Sequence, residues 1–147
     1  MALSRVGKVA AATTAAALIE RFGCTRIVFT GVAGGVGDGV QVGDVVVGTG
    51  YVQHDMDASP LFPRYEVPLS GMTRFPSDPS LSDALLQVAP LAMHDVANSL
   101  PPAEWLNINL AASRVHQGLI ASGDRFVSSS VESADLQQRL PDALAVE

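Results

Sequence analysis

Six of the thirteen residues from Gly31 to Gly43 are glycine, and apolar runs flank them: RIVFT at Arg26–Thr30 and DVVVGTGY at Asp44–Tyr51. Ile, Val and Phe without alternation predict strands covered on both faces, as in an α/β sheet. Glycines between two such strands allow positive φ and bring backbone N–H groups close to a ligand. The same composition also serves a tight corner that binds nothing, so composition alone leaves these two readings level.

Two glycine motifs fail here. A dinucleotide fingerprint needs G-x-G-x-x-G opening a helix, but counting from Gly35 the sixth place is Val40, and a strand follows. A P-loop needs glycine five residues before Gly-Lys-Ser/Thr; Gly7-Lys8 is followed by Val9, and Ala2 holds the first position.

In chain order, Met1–Val6 reads as the end of a strand and Gly7–Phe22 as an alanine-rich helix with Gly23 as its C-cap. With a strand at Arg26–Thr30 this predicts a parallel strand–helix–strand unit, with the glycine turn at a strand's carboxyl end, where open α/β sheets bind ligands. Val52–Pro79 contains Pro60, Pro63, Pro68, Pro76 and Pro79, which excludes a long regular element there. Its apolar members Leu61, Phe62, Tyr65, Met72 and Phe75 imply packing against the core or a second subunit. Leu81–Met93 has helical spacing at Leu81, Leu85, Val88 and Ala92, with Asp78 or Ser80 as cap and Pro90 expected to kink or end it. Asn98–Asn109, with Pro101, Pro102 and Trp105, reads as a connection, Trp105 being assigned to packing. Arg114–Ser122 is a predicted strand, Gly123–Phe126 a turn, and Ser129–Glu132 a capping box for a helix reaching Leu140. Ala143–Val146 begins a further strand. A chain that opens on the end of one strand and closes on the start of another is expected to be a single domain, residues 1–147, incomplete at both ends.

A hydrophobic fraction of 48% with 16% charged residues excludes disorder. A net charge of −6 argues against nucleic-acid binding. The apolar run Val9–Ile19 is too short to span a bilayer and is closed by Glu20-Arg21, so no membrane association and a soluble, cytoplasmic protein are expected. The one cysteine, Cys24, fits a reducing compartment and a buried structural thiol. His54, Asp55 and Asp57 lack further ligands at recognisable spacing from His94 or His116, so no metal is expected, and His54 and Asp55 are assigned structural hydrogen bonds. No G-x-S-x-G elbow is present.

The run TGVAGGVGDGVQVGDVVV (Thr30–Val47) resembles the TG-S-AGG…VGDVV signature of the methylthioadenosine/S-adenosylhomocysteine nucleosidases, within the nucleoside phosphorylase superfamily. Val6–Ala11, His54–Asp57, Gly118–Phe126 and Ala145–Glu147 match further segments in order, covering nearly all of this chain but only the middle of the family's. The resemblance implies an α/β fold, a three-layer α/β/α sandwich with a mixed central sheet. It implies hydrolysis of the N-glycosidic bond of methylthioadenosine or S-adenosylhomocysteine with release of adenine, no cofactor, and a homodimer. By the same resemblance Val32, Ala33 and Gly34 approach the ribose, Val32 standing where serine is familiar. Phe126 stacks on the purine and the Val127 backbone meets its edge. Glu147 matches the residue immediately before a Met-Glu pair that grips the ribose, and joins the substrate-binding set. Leu61, Phe62 and Pro68 fall where the family lends apolar residues to the partner subunit's pocket. The family's catalytic carboxylates match no residue here, so the chain is expected to be an inactive fragment of such an enzyme. Two rival expectations are a phosphate-dependent purine nucleoside phosphorylase and a noncatalytic nucleoside-binding or dimerisation module.

Overall fold

The computed structural model describes residues 1–99 and 112–147. Helix α1 spans Lys8–Phe22 and ends where Gly23 turns left-handed at φ 64°, with the Gly23 and Cys24 N–H groups donating to the Ile19 and Leu18 carbonyls. It buries none of its residues. The strand expected at Arg26–Thr30 does not form: this segment has no ladder partner, and Val28 and Phe29 are 50% and 62% exposed. β-propensity is realised only against a neighbour that supplies N–H and C=O groups, and no described strand lies beside it. Met1–Val6 is likewise not a strand, so the predicted parallel unit ahead of the glycine turn is absent. The turn instead contains a two-residue strand, β1 (Gly34–Gly35), and closes with Gly39 and Gly43 at φ 80° and 98°.

The remaining strands are β2 (Val45–Gln53), β3 (Phe75–Pro76), β4 (Val115–Ser122) and β5 (Ala143–Val146). They form one open mixed sheet in the order β1-β5-β4-β2-β3. The central pairs β2/β4 and β4/β5 are parallel, and the short edge strands β1 and β3 are antiparallel to their neighbours. Register places Gln53 beside Ser122 and Ala121 beside Val146, so the carboxyl ends of β2, β4 and β5 share one edge.

Parallel pairing requires crossovers, and helices supply both. Helix α2 (Pro79–Ser99) starts with proline at its first position, where no N–H is needed, while Asp78 accepts the Leu81 N–H at 3.1 Å. It continues through Pro90, which does not end it. Ser82 is buried and donates to the Gly48 carbonyl at 3.1 Å, and Leu85, Leu86, Ala89 and Met93 are half-buried on the same face. Val88 and Ala92, expected inward, are exposed. The helix carries more apolar residues than one stripe holds, and its contact with β2 selects which stripe is covered.

Helix α3 (Ser130–Arg139) begins with the predicted capping box: Ser129 Oγ accepts the Glu132 N–H and the Glu132 carboxylate accepts the Ser129 N–H. The Arg125 guanidinium, then the Ser128 and Ser129 groups, hold Glu132 down to about 2 against an ordinary 4.5. A depressed carboxylate contributes stability that is present above pH 4.5 and lost as pH falls towards 2. The stability difference between wild type and Glu132→Gln is therefore expected to be full near neutrality and to vanish across that window. Urea denaturation at several pH values measures it; a difference independent of pH would refute the assignment.

The core gathers Val36, Val52, Leu119, Ala121, Leu136, Leu140, Ala143 and Val146, joining the sheet to α3, with Tyr65 and Val127 packed against it. Cys24 is half-buried rather than buried. Trp105, Pro101, Pro102 and the rest of the expected connection as far as Asn109 lie outside the described residues, save Asn98 and Ser99, which close α2.

Candidate functional site

The shared carboxyl edge brings several expected site residues together. Gly34 pairs with Val146, the Glu147 N–H donates to the Ala121 carbonyl at 2.9 Å, and the Gly123 N–H donates to the Glu147 carbonyl at 3.2 Å. Ala33, Gly34 and Glu147 thus stand at the mouth of β4 and β5. Three residues after Gly123, Phe126 is 87% exposed, while Val127 packs against the core. Val32 is also nearly fully exposed. An exposed aromatic next to open backbone can offer a flat face to a planar heterocycle. Leu61, Phe62 and Pro68 are not part of this group. They lie on the loop between β2 and β3, Leu61 and Pro68 exposed and Phe62 half-buried.

A charged cluster unites segments far apart in the chain. Lys8 Nζ donates to Asp55 Oδ1 at 2.7 Å and to Gln53 Oε1 at 3.2 Å. The Lys8 main-chain N–H donates to Asp124 Oδ1 at 2.7 Å, and the Asp124 N–H donates to Asp55 Oδ2 at 2.8 Å. Burial raises the Asp55 pKa, but the Lys8 ammonium and the Asp124 N–H outweigh it and hold the carboxyl below its ordinary range. Asp55 thus has the structural hydrogen bonds expected of it. Lys8 and Asp124 were visible only as members of motif segments; no local signal connects positions 116 residues apart.

His54 is 5% exposed, and its Nε2 has no hydrogen-bond partner among the described residues. Burial lowers its pKa; Asp55 opposes this, while Arg139, Lys8 and Arg125 reinforce it. The ring lies beneath Gly123, beside a cavity of about 20 Å³ lined with Val127, Arg125, Glu132, Asp135, Leu136 and Arg139. The other histidines are engaged elsewhere, His116 with Asp44 at 2.8 Å and His94 with Asn98 at 2.9 Å. Among the described residues no three His, Cys, Asp or Glu side chains group to hold a metal, and no helix is long and apolar enough to cross a membrane. A wider open cavity of about 420 Å³, over Thr49, Gly50, Phe75, Gly118 and the Arg74–Asp142 ion pair, shares no residue with the candidate set.

The chain resembles known proteins along its whole length. The family model described as Phosphorylase superfamily matches residues 1–147. The 5'-methylthioadenosine/S-adenosylhomocysteine nucleosidase of Oceanobacillus iheyensis is 35% identical over 145 residues, which cover 99% of this chain and 55% of that one. The crystal structure of the nucleosidase of the same name from Neisseria meningitidis, in complex with methylthio-immucillin-A, superposes with a TM-score of 0.79 at 37% identity. The match covers 99% of this chain and 55% of that one. The futalosine hydrolase of Helicobacter pylori gives a TM-score of 0.72 at 32% identity, covering 98% of this chain and 53% of that one. The chain thus spans about half the length of the relatives it matches.

Proposed function

The chain belongs to the phosphorylase superfamily, and from that premise we propose that it forms the purine-facing wall of a nucleosidase. The reaction is hydrolysis of the N-glycosidic bond of 5′-methylthioadenosine or S-adenosylhomocysteine, releasing adenine. The observation that carries this reading is the meeting of Gly34, Glu147 and Gly123 at one carboxyl edge, with the exposed Phe126 three residues on, in a chain 37% identical to a nucleosidase solved with methylthio-immucillin-A. Phe126 supplies the stacking face, the Val127 backbone meets the base edge, and the turn around Val32, Ala33 and Gly34 approaches the ribose.

The bond breaks when an acid protonates the departing purine and a base directs water at the anomeric carbon. The resemblance matches neither of these groups to a residue of this chain, and on that ground its own contribution is binding, without turnover. In the assembled enzyme we assign the β2–β3 loop, with Leu61 83% exposed, to a homodimer contact. A cytoplasmic location goes with the same reading.

Titration of the folded 147-residue chain with adenine and methylthioadenosine, alongside an assay for adenine release with and without phosphate, tests the proposal. Binding without release is expected. Release only with phosphate would instead make the enzyme a phosphorylase, and absence of binding would remove the purine reading. Likeness to the futalosine hydrolase favours a second reading, hydrolysis of futalosine, and titration with futalosine separates the two. Phe126→Ala is expected to weaken adenine binding about tenfold or more, the scale of one base–aromatic stack. Because Phe126 is 87% exposed, its removal should leave the unfolding midpoint unchanged; unaltered affinity would strike Phe126 from the site.

A further inference from the structure

The segment from Gly123 to Val127 has no helix or strand of its own, so its course is set by bonds from other parts of the chain. Asp55 supplies the central one. Its two carboxylate oxygens are both used: Oδ2 accepts the Asp124 main-chain N–H at 2.8 Å, and Oδ1 accepts the Lys8 ammonium at 2.7 Å. Asp124 in turn accepts the Lys8 main-chain N–H, acting as the missing cap of α1, whose Gly7 offers no side chain. The Lys8 and Asp55 side chains are 27% and 20% exposed, so solvent screens the pair in part.

The geometry points to Asp55 as a positioning residue for the purine wall: by holding the Asp124 amide it sets where Phe126 and Val127 stand, without touching a ligand. The inference rests on the purine reading above and adds a residue to it. Asparagine has the right shape for the position but the wrong chemistry. One end of its amide donates, and with its carbonyl oxygen turned to the Lys8 ammonium, the charged and stronger donor, its NH₂ group faces the Asp124 N–H, donor against donor. Glutamate keeps two acceptors at a longer reach.

The test compares wild type, Asp55→Asn, Asp55→Glu and Lys8→Met in the 147-residue chain. It reads hydrogen exchange at the Asp124 amide and, as an internal reference, at Leu119 in the buried part of β4, together with adenine affinity. Asp55→Asn should free the Asp124 amide, leave Leu119 protected and weaken adenine on the order of tenfold, the scale of one hydrogen bond to a charged group. Asp55→Glu should recover part of both losses. Lys8→Met, which keeps the Asp55–Asp124 bond, should lose less than Asp55→Asn. Wild-type affinity in Asp55→Asn, or an Asp124 amide still protected there, overturns the positioning role alone. Absence of adenine binding by wild type, with its Asp124 amide protected, overturns the purine reading and the positioning role together. If Asp55→Asn loses protection throughout β4, Asp55→Glu decides: reduced Asp124 protection and affinity with Leu119 intact support the role, and reduced Asp124 protection at wild-type affinity overturns it.

Discussion

Replacing Leu136 with alanine should lower the free energy of unfolding by about 2–5 kcal/mol, the range for deleting a fully buried leucine side chain. Leu136 is 1% exposed and lies in the cluster where α3 meets Val52, Leu119, Ala121 and Val146. The loss exceeds simple transfer to water because the surrounding backbone is fixed. Ala121 and Val146 are held in register between β4 and β5, and the Leu140 N–H donates to the Leu136 carbonyl at 2.8 Å. Collapse into the vacated volume is therefore restricted, and the existing cavity of about 20 Å³ beside Leu136 would enlarge. Urea denaturation measures the change. A loss below about 1 kcal/mol would mean that α3 settles inward more freely than this packing allows.

The second large effect is expected at Gly123. A Cβ placed there would lie 2.4 Å from His54 Nε2, 2.8 Å from Cδ2 of the same ring and 3.0 Å from Asp55 Cγ. The ring is the far end of a side chain, but it is 5% exposed with only the cavity of about 20 Å³ beside it, and the His54 main-chain N–H, bonded to the Ser122 carbonyl at 3.0 Å, holds the backbone that carries it. Gly123→Ala must therefore push the loop away from β2, at about 1–3 kcal/mol for such overpacking. The displacement would also stretch the Asp55–Asp124 hydrogen bond, so adenine affinity should fall with stability. Two measurements on one variant check this: a urea midpoint and a titration. Wild-type values in both would show that the His54 ring moves aside without cost.

What could be read from the sequence divides by the range of the interactions involved. The capping box at Ser129–Glu132 is complete within four residues and appears as read. The strands at 45–53, 115–122 and 143–146 carry dense Val, Ile, Leu and Ala and formed within two residues of the expected limits. RIVFT at 26–30 has an equally strong pattern and forms no strand, because a strand is a property of a pair and its pairing is not encoded in its own residues. In α2 the apolar excess left two possible faces, and the Ser82–Gly48 hydrogen bond, spanning 34 residues, is part of what settles which is covered. The site shows the same division. Motif residues Gly34, Glu147 and Phe126 were legible as members of matched segments; Gly34 and Glu147 lie along one edge, and Phe126 follows three residues after Gly123, which bonds to Glu147. The Lys8–Asp55–Asp124 cluster, with sequence separations of 47, 69 and 116, was legible only in its Asp55 member, as a residue with structural bonds.

Helix α1 buries none of its residues, and its described ties to the strand ends are the ion pair and hydrogen bonds made by Lys8. The sheet and α3 are held by apolar burial. Dissolved salts distinguish these two kinds of attachment. At physiological ionic strength charges are screened over about 8 Å, and raising it loosens the hold of Lys8 on the partly exposed Asp55. Sulfate strengthens apolar burial through its exclusion from protein surface. One solution variable thus drives the helix and the sheet in opposite directions, and the docking of α1 becomes a quantity that buffer composition can set without unmaking the core.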